Sequence, residues 1–84
     1  MKAKTRSFKI KATRTGRGFR AWLDGARHYC STSTVSEATA ARHVAVRLFL
    51  GHDRKTMRDP ERQRRITVSR YSAGTYLATY DAET

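Results

Sequence analysis

Apolar and polar residues alternate in the first third of the chain. In Ser7–Thr13, Phe8, Ile10 and Ala12 fall on one side and Lys9 and Lys11 on the other, the pattern of a half-buried strand. Phe19–Leu23 repeats it, with Phe19, Ala21 and Leu23 inward and Arg20 and Trp22 outward. Asp24-Gly25 is a strong signal for a type I′ hairpin turn, and Arg27–Thr32 is the returning strand. A two-residue turn sets the register: Trp22 opposite Arg27, Arg20 opposite Tyr29, and Ala21 opposite His28. The inward face of this meander is then Phe8, Ile10, Phe19, Ala21, Leu23, Ala26, His28 and Cys30. The outward face is Lys9, Lys11, Arg20, Trp22, Arg27 and Tyr29. The link Arg14-Thr15-Gly16-Arg17-Gly18 is a basic turn whose amides and guanidiniums suit a phosphate, but it lacks the Walker and dinucleotide patterns.

From Thr34 to Gly51 the period changes. Ala38, Ala41, Ala45 and Leu48 recur at three- and four-residue steps, Val44 and Phe49 widen the stripe, and Arg42, His43 and Arg47 lie opposite. Thr34-Val35-Ser36-Glu37 has the form of a capping box with Thr34 as the cap, and Gly51 is placed to end the helix in a left-handed conformation. The three alanines Ala38, Ala41 and Ala45 allow close approach to a sheet.

Beyond the helix, residues 52–65 carry six Lys/Arg and the only proline, which predicts a basic flexible loop. Ile66–Tyr71 and Thr75–Tyr80 then alternate around Ser72-Ala73-Gly74. A three-residue loop with Gly74 left-handed would put Ile66, Val68, Tyr76, Ala78 and Tyr80 on one face; a two-residue loop would exchange the faces of the second strand, and burial favours the first. The element order is β-β-β-α-β-β, and the economical fold is α+β: one antiparallel sheet with a single helix packed on one face. Residues 1–84 suffice for one small domain, with 1–6 a basic tail.

Charge changes the picture more than size does. Eighteen Lys/Arg against seven Asp/Glu give +11, an excess that repels itself in a compact state and points to a polyanionic or strongly acidic partner. The first twenty residues hold eight Lys/Arg and no acid, as a presequence would, but the Phe8/Ile10/Ala12 alternation argues for a strand. No apolar run is long enough to span a membrane, so no membrane partner is expected. A lone Cys30 allows no internal disulfide and makes a reducing cytoplasm the default compartment.

The candidate chemistry is binding. Lys9, Lys11, Arg20 and Arg27 offer phosphate contacts beside Trp22 and Tyr29, flat groups on which a base or sugar can stack. Arg14 and Arg17 in the turn, and Arg54, Lys55, Arg58, Arg62, Arg64 and Arg65 in the basic loop, could follow a phosphate backbone. His28 and Cys30 lie two apart on a strand, with His43 and His52 on or after the helix. No Cys-x-x-Cys or His-x-x-x-His pair exists, and neither metal nor cofactor is expected. The seven acids form no acid–base couple, so no catalytic residue is assigned and no enzyme is expected.

Two resemblances follow. Phe8–Leu50, three strands then a helix with an outward basic face, is similar to the sheet-reading DNA-binding domains of tyrosine integrases (their amino-terminal domains) and of plant AP2-type factors. The run Ser36-Glu37-Ala38-Thr39-Ala40-Ala41-Arg42, then Gly51, then Ile66–Tyr80 around Gly74, resembles small phage and plasmid strand–helix–hairpin proteins, among them a type I-F anti-CRISPR inhibitor. The first implies contact with DNA. The second implies a phage protein that docks on a host nucleoprotein surveillance complex in the cytoplasm of a bacterium; at +11 it would not mimic DNA. A basic assembly protein without nucleic acid is a third class.

Overall fold

The apolar–polar alternation is realised as strands of one antiparallel sheet. The computed structural model describes residues 5–51 and 53–81. Strands β1 (Thr5–Thr15), β2 (Gly18–Leu23) and β3 (Ala26–Ser33) are followed by helix α1 (Glu37–Leu50). Two short helices come next, α2 (Arg54–Arg58) and α3 (Pro60–Arg64), and then strands β4 (Ile66–Ser72) and β5 (Thr75–Asp81). The strand order is β3-β2-β1-β5-β4, with β1 at the centre and α1 across one face. Of the expected basic tail, Thr5 and Arg6 belong to β1, and residues 1–4 lie outside the described residues, as does His52.

The core is built from small side chains. Ile10, Ala12, Ala21 and Leu23 from the first two strands, with Ile66, Tyr76 and Ala78 from the last two, meet Ala40, Ala41, Val44, Ala45 and Leu50 of the helix. Among the described residues only Ile10 and Val44 are both large and fully enclosed. The buried helical stripe is therefore rotated from the expected one. Ala41, Val44 and Ala45 are in it, Ala40 joins them, and Ala38 is exposed. Where three of the four positions 38–41 are alanine, side-chain size cannot say which of them faces the sheet. Phe8, Phe49 and Tyr80 extend the core at one end, Phe49 standing 5.6 Å from Phe8 and 5.4 Å from Tyr80 between ring centroids.

The helix begins at Ser36, not Thr34: the Ser36 hydroxyl accepts from the Thr39 amide at 3.0 Å. Glu37 does not close a capping box. Its carboxylate accepts from the Tyr76 hydroxyl at 3.2 Å, tying the first turn of α1 to β5. Gly51 ends the helix with φ of 75° and donates its amide to the Arg47 carbonyl, as expected of a glycine C-cap.

The register of β2 against β3 differs from the expected one. Asp24-Gly25 does form the turn, with Leu23 opposite Ala26, but the pairing then shifts, so that Trp22 lies opposite Cys30, Ala21 opposite Ser31 and Arg20 opposite Thr32. The irregularity inverts the faces expected for β3. Tyr29 turns to the helix side and packs on the core, Cys30 shares the open face with Trp22, and His28 is exposed rather than part of the core. At the other hairpin a two-residue turn, Ala73-Gly74, is combined with an irregularity at Tyr71. The two together act as the longer loop would, so Ile66 and Tyr80, and Val68 and Ala78, pair on the core face as expected. Residues 52–65, expected as a flexible loop, hold the two short helices, whose N-caps are Asp53 and Asp59. Five-residue helices are too short to show a period, but Asp59-Pro60 is a helix start in its own right.

Gly18 is also explained by the register. A Cβ there would sit 2.5 Å from the Ser33 carbonyl oxygen, so Gly18 is required by close approach to β3 rather than by a phosphate-binding turn.

Burial, and then the Glu37 carboxylate it bonds, hold the Tyr76 phenol above its ordinary value, with Arg70 acting in the opposite sense. Below the unfolded value of about 10 the phenol is protonated in both states and its contribution is fully present; it is lost as pH rises through the raised folded value. Tyr76→Phe should therefore cost about 1–2 kcal/mol near neutrality and flatten the alkaline decline in stability, both read from urea midpoints across pH.

Candidate nucleic-acid interface

Among the described residues, no helix lies over one face of the sheet. Strand alternation places Ser7, Lys9, Lys11, Thr13 and Thr15 of β1 there, beside Arg20 and Trp22 of β2 and Cys30 and Thr32 of β3. Thr75, Leu77 and Thr79 of β5, with Thr67 and Ser69 of β4, complete it. The face is polar because an antiparallel sheet covered on one side must present its other side to water.

Within this face the cations are arranged against aromatics and hydroxyls. The Arg27 guanidinium lies 5.6 Å from the Trp22 ring centroid, and the Lys9 ammonium 4.5 Å from that of Tyr71, a side chain 59% exposed. Lys11 Nζ donates to Thr75 Oγ1 at 3.0 Å. Thr13, Thr15, Arg20, Trp22 and Arg27 line a shallow depression of about 210 Å³. It thus offers two guanidiniums, an indole and two hydroxyls in one place. Cation–π contacts at such exposed sites are worth about 0.5–1 kcal/mol each, too little to make the cluster a stability device.

Carboxylates are scarce here. Among the described residues Glu37, Asp53, Asp59 and Glu61 lie at or within the helices, and Asp81 shares the open-face parity at the far end of β5. Asp24 in the β2–β3 turn shares it too, continuing the β1–β2 register opposite Lys9, whose carbonyl accepts its amide at 3.0 Å. The four cations Lys9, Lys11, Arg20 and Arg27 therefore outnumber the two carboxylates on this parity, and the field of the face stays positive.

The expected site residues divide into groups. Lys9, Lys11, Arg20, Trp22 and Arg27 come together as expected. Tyr29 does not, because β3 is inverted. Arg14 lies opposite Phe19, on the parity of the covered face, and Arg17 in the turn lines a groove with Phe19 and Val35. Arg62 and Arg64 pair with Asp59 at 3.4 Å and Glu61 at 3.7 Å, exposed pairs worth under about 1 kcal/mol each that nevertheless dilute the charge. Arg65 is half-buried, and its carbonyl accepts the Asp81 amide at 3.0 Å.

Arg54 and Arg58 lie on the helix side, away from the open sheet face. With Thr39, Arg42, His43, Val46, Arg47, Met57 and Gln63 they line a groove of about 590 Å³ between α1 and α2. Lys55 is exposed on the same short helix. Arg42, His43 and Arg47 were not among the expected site residues, although their spacing along α1 placed them on one side of it. Arg42 donates to the Ile66 and Gln63 carbonyls at 3.1 and 3.0 Å, and Arg47 to the Cys30 carbonyl at 2.9 Å. No cluster of His, Cys, Asp and Glu among the described residues could hold a metal ion, and no helix among them is long and apolar enough to cross a membrane.

Compared with protein families, curated proteins and solved structures, the chain matches none.

Arginines that hold the fold and arginines that are free to bind should separate in stability measurements. Arg42→Ala, which strands two carbonyls, should cost about 2 kcal/mol, whereas Arg20→Ala should stay within about 0.5 kcal/mol, both by chemical denaturation.

Proposed function

We propose that the protein is a non-enzymatic module that binds nucleic acid in the cytoplasm, with the open sheet face as its contact surface. The observation that carries this reading is the gathering of Lys9, Lys11, Arg20 and Arg27 around Trp22 on the uncovered face, where among the described residues these cations outnumber the carboxylates Asp24 and Asp81. The cations meet phosphates, the threonine hydroxyls around Arg20 supply further donors to phosphate or sugar, and the indole gives a stacking surface. Four cations on the face imply a log–log salt slope of about −3 to −4 on duplex DNA. Arg54 and Arg58 of α2 line the groove beside α1 and are not needed for this contact.

A second reading rests on Tyr71, which the β4 irregularity leaves exposed beside Lys9. An exposed aromatic flanked by charge is typical of a protein–protein anchor. It fits a mobile-element inhibitor, of the kind the strand–helix–hairpin resemblance implies, docking on a nucleoprotein complex through the same face. Binding to such a complex that survives nuclease treatment and is lost with Tyr71→Ala would favour this reading.

The first reading is tested by fluorescence anisotropy with labelled duplex DNA and single-stranded RNA. The variant Arg20→Ala/Trp22→Ala/Arg27→Ala should lose at least ~10-fold in affinity near physiological salt, with its salt slope reduced by about 2. Unchanged affinity would remove the sheet face as the interface.

A further inference from the structure

The groove between α1 and α2 has no part in the sheet-face reading, and its composition calls for an explanation of its own. Four arginines line it, Arg42 and Arg47 from α1 and Arg54 and Arg58 from α2, with no carboxylate among the lining residues. Bringing four guanidiniums to one concave surface is unfavourable unless an anion joins them. Two of the four are already held in place. Arg42 is tied to the Gln63 and Ile66 carbonyls and Arg47 to the Cys30 carbonyl, so their orientation does not have to be bought on binding. Each guanidinium carries five N–H donors, and these bonds use two in Arg42 and one in Arg47.

The groove is not simply basic. Val46 and Met57 contribute apolar surface from its two walls. Its volume, about 590 Å³, is in the range of small-molecule sites, about 300–1,000 Å³. Arginines suit phosphate through paired N–H donors, and valine and methionine suit the flat face of a ring. We propose that this groove binds a nucleotide carrying a di- or triphosphate, its phosphates on the arginines and its base or sugar against Val46 and Met57.

Isothermal titration calorimetry of the full chain at about 150 mM salt, with ATP, tripolyphosphate and adenosine as the probes, tests this. ATP should bind saturably and at least ~10-fold more tightly than tripolyphosphate, and adenosine should bind far more weakly than either. Arg54→Glu/Arg58→Glu should weaken ATP at least ~10-fold, whereas Arg14→Glu/Lys55→Glu, an equal change in charge outside the groove, should cost under ~3-fold. Should the groove variant lose its fold, amide chemical shifts of the wild-type protein decide. Changes confined to α1 and α2 on adding ATP support the site, and changes spread over the strands overturn it. Equal binding of tripolyphosphate and ATP, or equal loss in the two charge-reversed variants, would also overturn it. Because the sheet-face variants are not involved, failure here leaves the nucleic-acid reading standing, and the reverse also holds.

Discussion

The alanines at 40, 41 and 45 let α1 lie close against the sheet, and this close contact is the constraint on which the other features rest. Each is fully buried, and among the described residues Ile10 and Val44 are the only large side chains around them that are as fully enclosed. A core of this size can cover only one face of a five-stranded sheet. The opposite face has to be polar, and here it carries hydroxyls and cations. Small packing residues on the helix and a basic open surface on the sheet are thus two consequences of one economy in apolar volume.

The same economy divides the arginines. On the helix side, where apolar contact is thin, Arg42 and Arg47 bridge α1 to backbone carbonyls of the α3–β4 region and β3, doing by hydrogen bonding what larger side chains would do by packing. On the open side Lys9, Arg20 and Arg27 have no such task and lean on aromatic rings or water. Arginines and lysines of the described residues thus gather on two surfaces with the sheet between them.

Much of this was legible in the amino-acid pattern, and the exceptions have physical causes. β1, β2 and β4 alternate because each has one wetter and one drier face, β5 does so less cleanly because Thr75 on the open side is buried too, and five of the six residues assigned to the open sheet face lie there. Tyr29 was misplaced because the turn rule sets the register only next to Asp24-Gly25. The shift between Trp22 and Leu23 is settled by Tyr29 packing on the core, a tertiary contact that no local pattern encodes. Thr34 and Ser36 are both acceptable caps, and the choice depends on Glu37 finding Tyr76 far along the chain. The arginine groove was missed because it needs α2, a helix signalled only by its capping aspartates.

The open sheet face is tested most directly through Trp22, the single tryptophan of the chain, which lies on it between Lys11 and Cys30. Nuclease-treated protein would be titrated with unlabelled duplex DNA and single-stranded RNA while Trp22 emission is followed, at low and near-physiological salt. A saturable change in emission that weakens steeply with salt, parallel to binding measured by anisotropy, is the predicted result. Binding seen by anisotropy with Trp22 emission unmoved would contradict the assignment, because nucleic acid would then be held elsewhere on the molecule.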